Sequence, residues 1–135
     1  MPTRYIEILA VQRPFPIAVD ENGRTMFSCN FNATAAAPVA SFEEEVVKIL
    51  TDVGIATLGT DTFIGRAAVI PKGAGPYTTI INTGGFSPLE THNGDKYERL
   101  SCQIAVRALS YAVARARAIA IWRALDGQRD ITVAA

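Results

Sequence analysis

Residues able to do catalytic chemistry are few in this sequence. His92 is its single histidine, and it lies beside Asn93, Gly94 and Asp95 in a polar segment. A serine or cysteine nucleophile activated by histidine would have to use His92. A lone histidine in a polar loop is more often only solvated, because catalysis also needs a partner at hydrogen-bonding distance. We therefore predict no catalytic residue. A small cytoplasmic enzyme is the weakest of the functional alternatives for this chain.

Metal and phosphate sites are also poorly supported. Cys29, His92 and Cys102 match no zinc-binding spacing, and the two cysteines are expected to be free, buried thiols in a reducing compartment. The glycine-rich residues 72–76 lack the Gly-Lys-Ser/Thr ending of a phosphate loop and lead into a predicted strand. Three consecutive glutamates at 43–45 begin a predicted helix, where the helix dipole favours carboxylates. We predict no metal and no cofactor.

Arginines are the remaining charged residues of interest. Arg99 and Arg107 fall on the same face of a predicted strand, and further arginines follow on a predicted helix. On an alanine-rich surface of a net-neutral chain, guanidinium groups suit carboxylates of a neighbouring subunit. Ordinary solvation is the alternative for any single one, since exposed ion pairs contribute little. The predicted subunit interface consists of Arg99, Arg107, Arg115, Ala116, Arg117, Ala120 and Arg123.

One strand and one helix must position these arginines. Across residues 99–108 apolar and polar side chains alternate, which predicts a strand with one buried face. Ser110 is suited to cap a helix from about Tyr111 to Asp126, and Gly127 is suited to end it. The outer face of this helix is rich in alanine rather than charge. That pattern favours a face covered by another subunit, and the high helix propensity of alanine is the alternative explanation.

The residues before that strand predict a further helix and two further strands. Ser41 and Glu44 form a capping box, and the apolar spacing after them predicts an amphipathic helix that ends at Gly54. Strands are predicted at 62–70 and 77–82, and a short edge strand at 131–133. The polar segment from Phe86 to Lys96 is predicted to be a long loop, and loops of that length are usually functional or disordered.

The first 40 residues are interpreted as an irregular arm. Prolines at 14 and 16 remove amide donors, and residues 5–11 are too few for periodicity to distinguish a strand from a helix. Only a small hairpin around residues 20–23 is expected there. The predicted domains are an arm at 1–40 and a single domain at 41–135. The predicted fold class is α+β, with a mainly antiparallel sheet of three to four strands and two helices packed on it.

Composition limits the classes of partner. The 135 residues are 49% hydrophobic and only 19% charged, which favours assembly over a free monomer. Thirteen basic and thirteen acidic residues balance, so neither sequence-specific nucleic acid nor an anionic membrane is an expected partner. No apolar run approaches the roughly 20 residues of a membrane span, and the first residues lack the pattern of a secretory signal.

Several short motifs between residues 41 and 127 occur together in a known family. They are Gly75-Pro76-Tyr77, Thr83-Gly84-Gly85-Phe86-Ser87-Pro88, Tyr97-Glu98-Arg99, Val106-Arg107-Ala108, and Tyr111-Ala112 with Ala118. The combination of a Gly-Gly strand end, a polar loop, a strand that ends Val-Arg-Ala and an alanine-rich helix resembles the minor capsid and tail-terminator proteins of long-tailed bacteriophages. The motifs are structural rather than catalytic, and residues 1–40 lie outside the resemblance.

The resemblance implies a structural virion protein at the tail–head junction, assembled in the host cytoplasm. It would form a homo-oligomeric ring, typically a hexamer, that caps the finished tail tube and faces the head connector or neck proteins. The segment that would contact the tube or connector includes Phe86, Glu90, His92, Asn93, Asp95 and Lys96, and the arm would embrace a neighbouring subunit. Another neck or head-completion protein is the alternative, distinguished by binding the portal rather than the tail tube.

Overall fold

Seven strands and two helices make up the described part of the chain. The computed structural model describes residues 3–36, 39, 41–65, 70–90, 92 and 94–133. In chain order the elements are β1 (Thr3–Ala10), β2 (Phe15–Val19), β3 (Thr25–Ala36), α1 (Phe42–Asp52), β4 (Thr62–Ile64), β5 (Tyr77–Glu90), β6 (Lys96–Ala108), α2 (Tyr111–Leu125) and β7 (Gln128–Val133). The strands form one curled sheet in the order β4–β5–β6–β3–β1–β7, and β2 also pairs with β3.

The predicted fold class is wrong in the size and the nature of the sheet. The sheet has seven strands rather than three to four, and it is mixed because β4 runs parallel to β5. Residues 3–36 are not an irregular arm: they supply β1, β2 and the central strand β3, which pairs with β6 along its whole length. The division of the chain at residue 40 stays a prediction.

The reason for this error is visible in β3 itself. Phe27, Cys29 and Phe31 are buried, whereas Asn30 and Asn32 between them are only half-buried on the opposite face. The polar and small side chains on the second face make the sequence of β3 resemble an irregular segment, although its first face belongs to the core. β1 and β2 then pair one after the other with the same edge of β3, at residues 31–35 and 25–28.

Both helices pack on one face of the sheet and close a single core. In β6 the side chains of Cys102, Ile104 and Val106 point into that core, as their alternation predicts. α2 contributes Ala114, Ala118, Ile121 and Leu125 to it, and α1 contributes Phe42, Val46, Val47 and Leu50. We call the opposite side of the sheet, which the helices do not cover, the open face.

The predicted helices are present with the expected caps. Ser41 accepts a hydrogen bond from the backbone N–H of Glu44 at 3.5 Å, and Ser110 accepts one from Val113 at 3.4 Å. Val53 lies just beyond the end of α1 and is 57% exposed. Within α1, Glu45 is buried and accepts a hydrogen bond from the Tyr5 hydroxyl at 3.2 Å.

The segment from Phe86 to Lys96, predicted to be a loop, is mostly strand. β5 continues to Glu90 and β6 begins at Lys96, so the two strands form one long hairpin. The register of the hairpin shifts between Asn82 and Gly84, where Gly84 and Gly85 adopt φ of 101° and 114°. The two glycines therefore form an irregularity inside a continuing strand rather than a strand end.

Two predicted strands also differ in length from those observed. The strand expected at 62–70 ends at Ile64 in β4, and residues 66–69 of that expectation lie outside the described residues. The edge strand expected at 131–133 begins earlier, so β7 covers Gln128–Val133 and pairs with β1.

Candidate functional site

The distal half of the β5–β6 pair is an exposed hairpin, which we define as residues 82–90, 92 and 94–96. Every residue from 82 to 90 is exposed, although the same strand is buried at Thr78, Thr79 and Ile80. Phe86 is 59% exposed and Leu89 46% exposed. Large apolar side chains held in the open by a hydrogen-bonded ladder are typical of a surface that binds another protein.

The orientation of the Phe86 ring is set within the hairpin. The Arg99 guanidinium lies over this ring, 5.4 Å from its centre, and the Arg99 Nε donates a hydrogen bond to the Ser87 carbonyl at 2.7 Å. Nearby, the Asn82 side chain accepts a hydrogen bond from the Gly84 N–H at 2.7 Å. The stacking holds an exposed ring in one place, which lowers the entropy that a partner must remove on binding.

The residues predicted to contact the tube or connector lie on this hairpin. Phe86 and Glu90 lie on β5 and Lys96 begins β6, where it pairs with Glu90 in the ladder. His92 and Asp95 are exposed in the connecting segment, and Asn93 lies outside the described residues. The structure thus brings the described members together on one exposed element, and their contact role stays a prediction.

The residues predicted to form a subunit interface divide between two surfaces. Arg99 and Arg107 lie on the open face of the sheet, whereas Arg115, Ala116 and Arg123 are exposed on α2 and Ala120 is half-buried there. Arg117 is already engaged within its own chain: its guanidinium lies 3.4 Å from the Asp61 carboxylate. The predicted set is therefore not one continuous surface, and its role in assembly stays a prediction.

The start of α2 has an apolar exposed surface. Tyr111 is 54% exposed, Val113 42% and the preceding Leu109 56%. A shallow groove beside them is lined by Leu109, Ser110 and Val113 together with Ala74 and Gly75 from the turn before β5. This groove extends the alanine-rich outer face of α2 toward the turn that precedes β5.

The sequence interpretation missed a second apolar surface, on β2. All five residues of this strand are exposed, including Phe15 at 42%, Ile17 at 43% and Val19 at 66%. In the described part of the chain β2 pairs only with β3, so its other edge is open. The sequence signal is that residues 15–19 are apolar at odd and even positions alike. Because alternate side chains of a strand point to opposite faces, some of these apolar side chains must face outward.

The buried ionisable groups stabilise the fold rather than provide reactive groups. Burial raises the pKa of the Cys29 and Cys102 thiols to about 12, so both thiols are protonated at neutral pH. Burial, together with the Glu45 carboxylate, raises the pKa of the Tyr5 hydroxyl well above its usual range. A protonated, buried thiol is a poor nucleophile.

Two features of the described residues concern metal binding and membrane insertion. Among these residues no three side chains of the types His, Cys, Asp and Glu come together as a metal-binding group. Neither helix is long and apolar enough to cross a membrane.

Comparison with known proteins identifies the family. A search of curated proteins found no match, and a search of solved structures found none. The family model described as bacteriophage tail terminator protein matches residues 49–132, which is more than half of the chain and includes β5, β6 and α2. The chain therefore belongs to the bacteriophage tail terminator family, whose members are structural proteins of the phage tail.

Proposed function

We propose that this protein forms a ring of six copies, the number that the family resemblance implies, and that the ring caps the tail tube and joins it to the head connector. The observation that carries the proposal is the exposed hairpin, which places Phe86 and Leu89 in the open on a rigid ladder. The ring would stand at the tail–head junction of the virion after assembly in the host cytoplasm. Its action is structural and needs no catalytic group.

A ring needs two different surfaces on each subunit, because a cyclic head-to-tail contact joins unlike patches. The described chain offers two apolar surfaces apart from the hairpin. One is the outer face of α2 with Tyr111, Val113 and Ala116, and the other is the exposed strand β2. Their exposure supports assembly with further copies, since solvated apolar surface of this kind is costly in a free monomer.

The exposed hairpin supports contact with the tube or connector for a separate reason. Its apolar side chains lie apart from the helices, so it can be occupied by a partner while α2 and β2 are occupied by neighbouring subunits. Glu90 and Lys96, which pair at the end of the hairpin, place charge beside the apolar residues. An apolar centre with a polar rim is the usual composition of a protein–protein contact.

The test combines ring formation with binding to purified tail tubes. The double variant Phe86→Ser with Leu89→Ser is compared with Leu58→Ser, a control that removes an apolar side chain 54% exposed elsewhere on the surface. Light scattering gives the native mass, and negative-stain imaging shows whether particles occupy one end of the tubes. We expect rings from both variants, and tube capping by the control alone.

Three outcomes would contradict the proposal. Capping by the hairpin variant at the wild-type level would remove the hairpin from the contact. Binding to purified portals rather than to tubes would instead indicate another neck or head-completion protein. Failure of the wild-type protein to form rings, both alone and on tubes, would overturn the terminator ring itself.

A further inference from the structure

An open groove lies between the end of α1, the end of α2 and the edge strand β7, and we call it the β7 groove. Its volume is about 240 Å³, and most of its wall is apolar, formed by Ile49, Val53, Ala124, Ile131 and Val133. Val53 is 57% exposed, so solvent reaches this wall in a single copy. Within the described residues β7 pairs only with β1, which leaves the outer edge of β7 open beside the groove.

Asp52 gives the β7 groove a negative charge. It contributes to the groove wall, is exposed, and is the last residue of α1. The last turn of α1 contains no basic residue, although the carbonyl groups at the end of a helix favour a nearby cation. Among the described residues Asp52 makes no ion pair. The groove therefore combines an apolar wall with an unbalanced negative charge.

The outer face of α2 offers the opposite combination. Arg115 is exposed there and makes no ion pair with any described residue. Its neighbours on the helix surface, three and four positions away, include Tyr111, Ala112 and Ile119. Tyr111 is 54% exposed, and the first turn of α2 contains no acidic residue. A guanidinium group on an apolar surface complements a carboxylate in an apolar groove, both in charge and in polarity.

The two surfaces belong to opposite ends of α2. Ala124 lines the β7 groove, and Arg115 lies nine residues earlier, about 13 Å along the helix axis. Arg117 is already paired with Asp61, and Arg123 directly precedes Ala124 at the groove end of the helix. Arg115 is therefore the exposed arginine of α2 that lies away from the groove of its own chain. Separate, unlike patches on one chain are what a cyclic head-to-tail contact requires.

We infer that Arg115 of one copy binds in the β7 groove of a second copy, where its guanidinium group pairs with Asp52. This inference rests on the proposed ring and names one contact within it. The planar guanidinium fork matches a carboxylate, and the methylene groups of the arginine side chain can pack on the apolar wall of the groove. The contact would also bring a positive charge to the end of α1 and cover the exposed Tyr111 at the start of α2.

The first part of the test reverses each charge separately, in Asp52→Arg and in Arg115→Glu. Each variant then places like charges at every such contact, so we expect association to weaken at least tenfold, as measured by light scattering over a concentration series. Glu44→Arg is the control, because it makes the same charge change as Asp52→Arg at the other end of α1. We expect it to associate as the wild type does. Wild-type association by either reversed variant, or equal weakening by the control, would overturn the contact.

The second part mixes the two reversed variants in equal amounts. When the two proteins alternate, the Arg115 that one retains faces the Asp52 that the other retains, and the two introduced side chains also have opposite charges. A ring of six permits this alternation because six is an even number. We expect the mixture, and also the double variant with both substitutions, to associate within about threefold of the wild type. Failure of both to recover association would overturn the pairing of Arg115 with Asp52.

Melting temperatures at concentrations too low for assembly test whether Asp52 acts only within its own chain. We expect Asp52→Arg to melt at the wild-type temperature or above it, because a cation at the end of a helix is stabilising. Stability and association would then change in different directions. A lower melting temperature, together with weak association that mixing does not restore, would show that Asp52 only supports the fold and would overturn the contact.

The same measurements separate this contact from the proposed ring. If the wild type forms open oligomers instead of rings, and mixing the reversed variants restores those oligomers, the contact stands and the closed ring fails. If the wild type forms rings that both reversed variants also form, the ring stands and the contact fails. A wild type that stays monomeric, both alone and on tail tubes, would overturn the two together.

Discussion

The two halves of the β5–β6 pair share one hydrogen-bonded ladder and differ in what covers them. In the proximal half, Thr78 and Ile80 of β5 are fully buried, and Ile104 and Val106 of β6 face the helices with them. In the distal half every residue of β5 from 82 onward is exposed. The backbone pairing is common to both, so the helices, rather than the ladder, determine which half is core. Stability is expected from the proximal half and recognition from the distal half.

The glycines at 84 and 85 mark the boundary between these halves. Both have positive φ, and a Cβ at Gly85 would overlap the carbonyl oxygen of Arg99 on the facing strand. A Cβ at Gly84 meets nothing. At Gly85 the two strands therefore approach more closely than a residue with a side chain would permit.

The largest expected effect comes from removing the strand that supports β6. A chain of residues 41–135 lacks β3, which pairs with β6 from residue 97 to residue 108 and supplies Phe27 and Phe31 to the core. We expect this fragment not to fold cooperatively, as measured by near-UV circular dichroism and urea unfolding. A cooperative unfolding transition in the fragment would instead support residues 1–40 as a separate extension.

The next effect compares one side chain from each half. Ile104→Ala removes a buried side chain and is expected to lower the free energy of unfolding by about 2–5 kcal/mol. Phe86→Ala removes an exposed one and is expected to change it by less than about 0.5 kcal/mol. Urea unfolding of both variants measures the difference. Equal losses would show that the distal half is also part of the core.

A smaller effect is expected at the boundary between the halves. Gly85→Ala combines an unfavourable φ with overlap on the facing strand, whereas Gly84→Ala carries only the unfavourable φ. We expect a loss of about 1–3 kcal/mol at Gly84 and a larger one at Gly85. Urea unfolding measures both losses, and hydrogen exchange shows whether they reach the proximal half. An equal loss of stability at the two positions would show that the close approach of the strands at Gly85 adds nothing to the cost of the unfavourable φ.

The last effect is a pH dependence of stability that comes from a buried thiol of the proximal half. Burial raises the pKa of the Cys102 thiol from its ordinary value of 9.0 to about 12 in the folded chain. Between these values the unfolded chain binds fewer protons, so the free energy of unfolding falls as the pH rises above about 9. A Cys102→Ala variant is expected to lose part of this slope in urea unfolding from pH 8 to pH 11. An unchanged slope would assign the effect to other groups.

Much of the fold could be predicted where the sequence carries local signals. Ser41 and Ser110 indicate where the helices begin, and the alternation from residue 99 to 108 indicates β6 and its inward residues. β3 could not be recognised in this way, because its outward positions are polar on an open face and its pairing with β6 is a long-range contact. The continuation of β5 was also missed, since Gly84-Gly85 and Pro88 are typical of a strand end.

The candidate surfaces were predicted less completely. The exposed hairpin contains the described residues that the family resemblance indicates for partner contact, yet its strand structure depends on the irregular register at the glycines. Arg107 was indicated by its place on the outward face of β6.

The strand order also determines when the fold can be completed. β1 lies between β3 and β7, and Thr3 pairs with Val133. Contacts so distant in sequence form slowly, because the chain between them must lose its conformational freedom first. During synthesis β1 has no second neighbour until residue 133 has left the ribosome. The chain therefore finishes folding only after β7 has been translated.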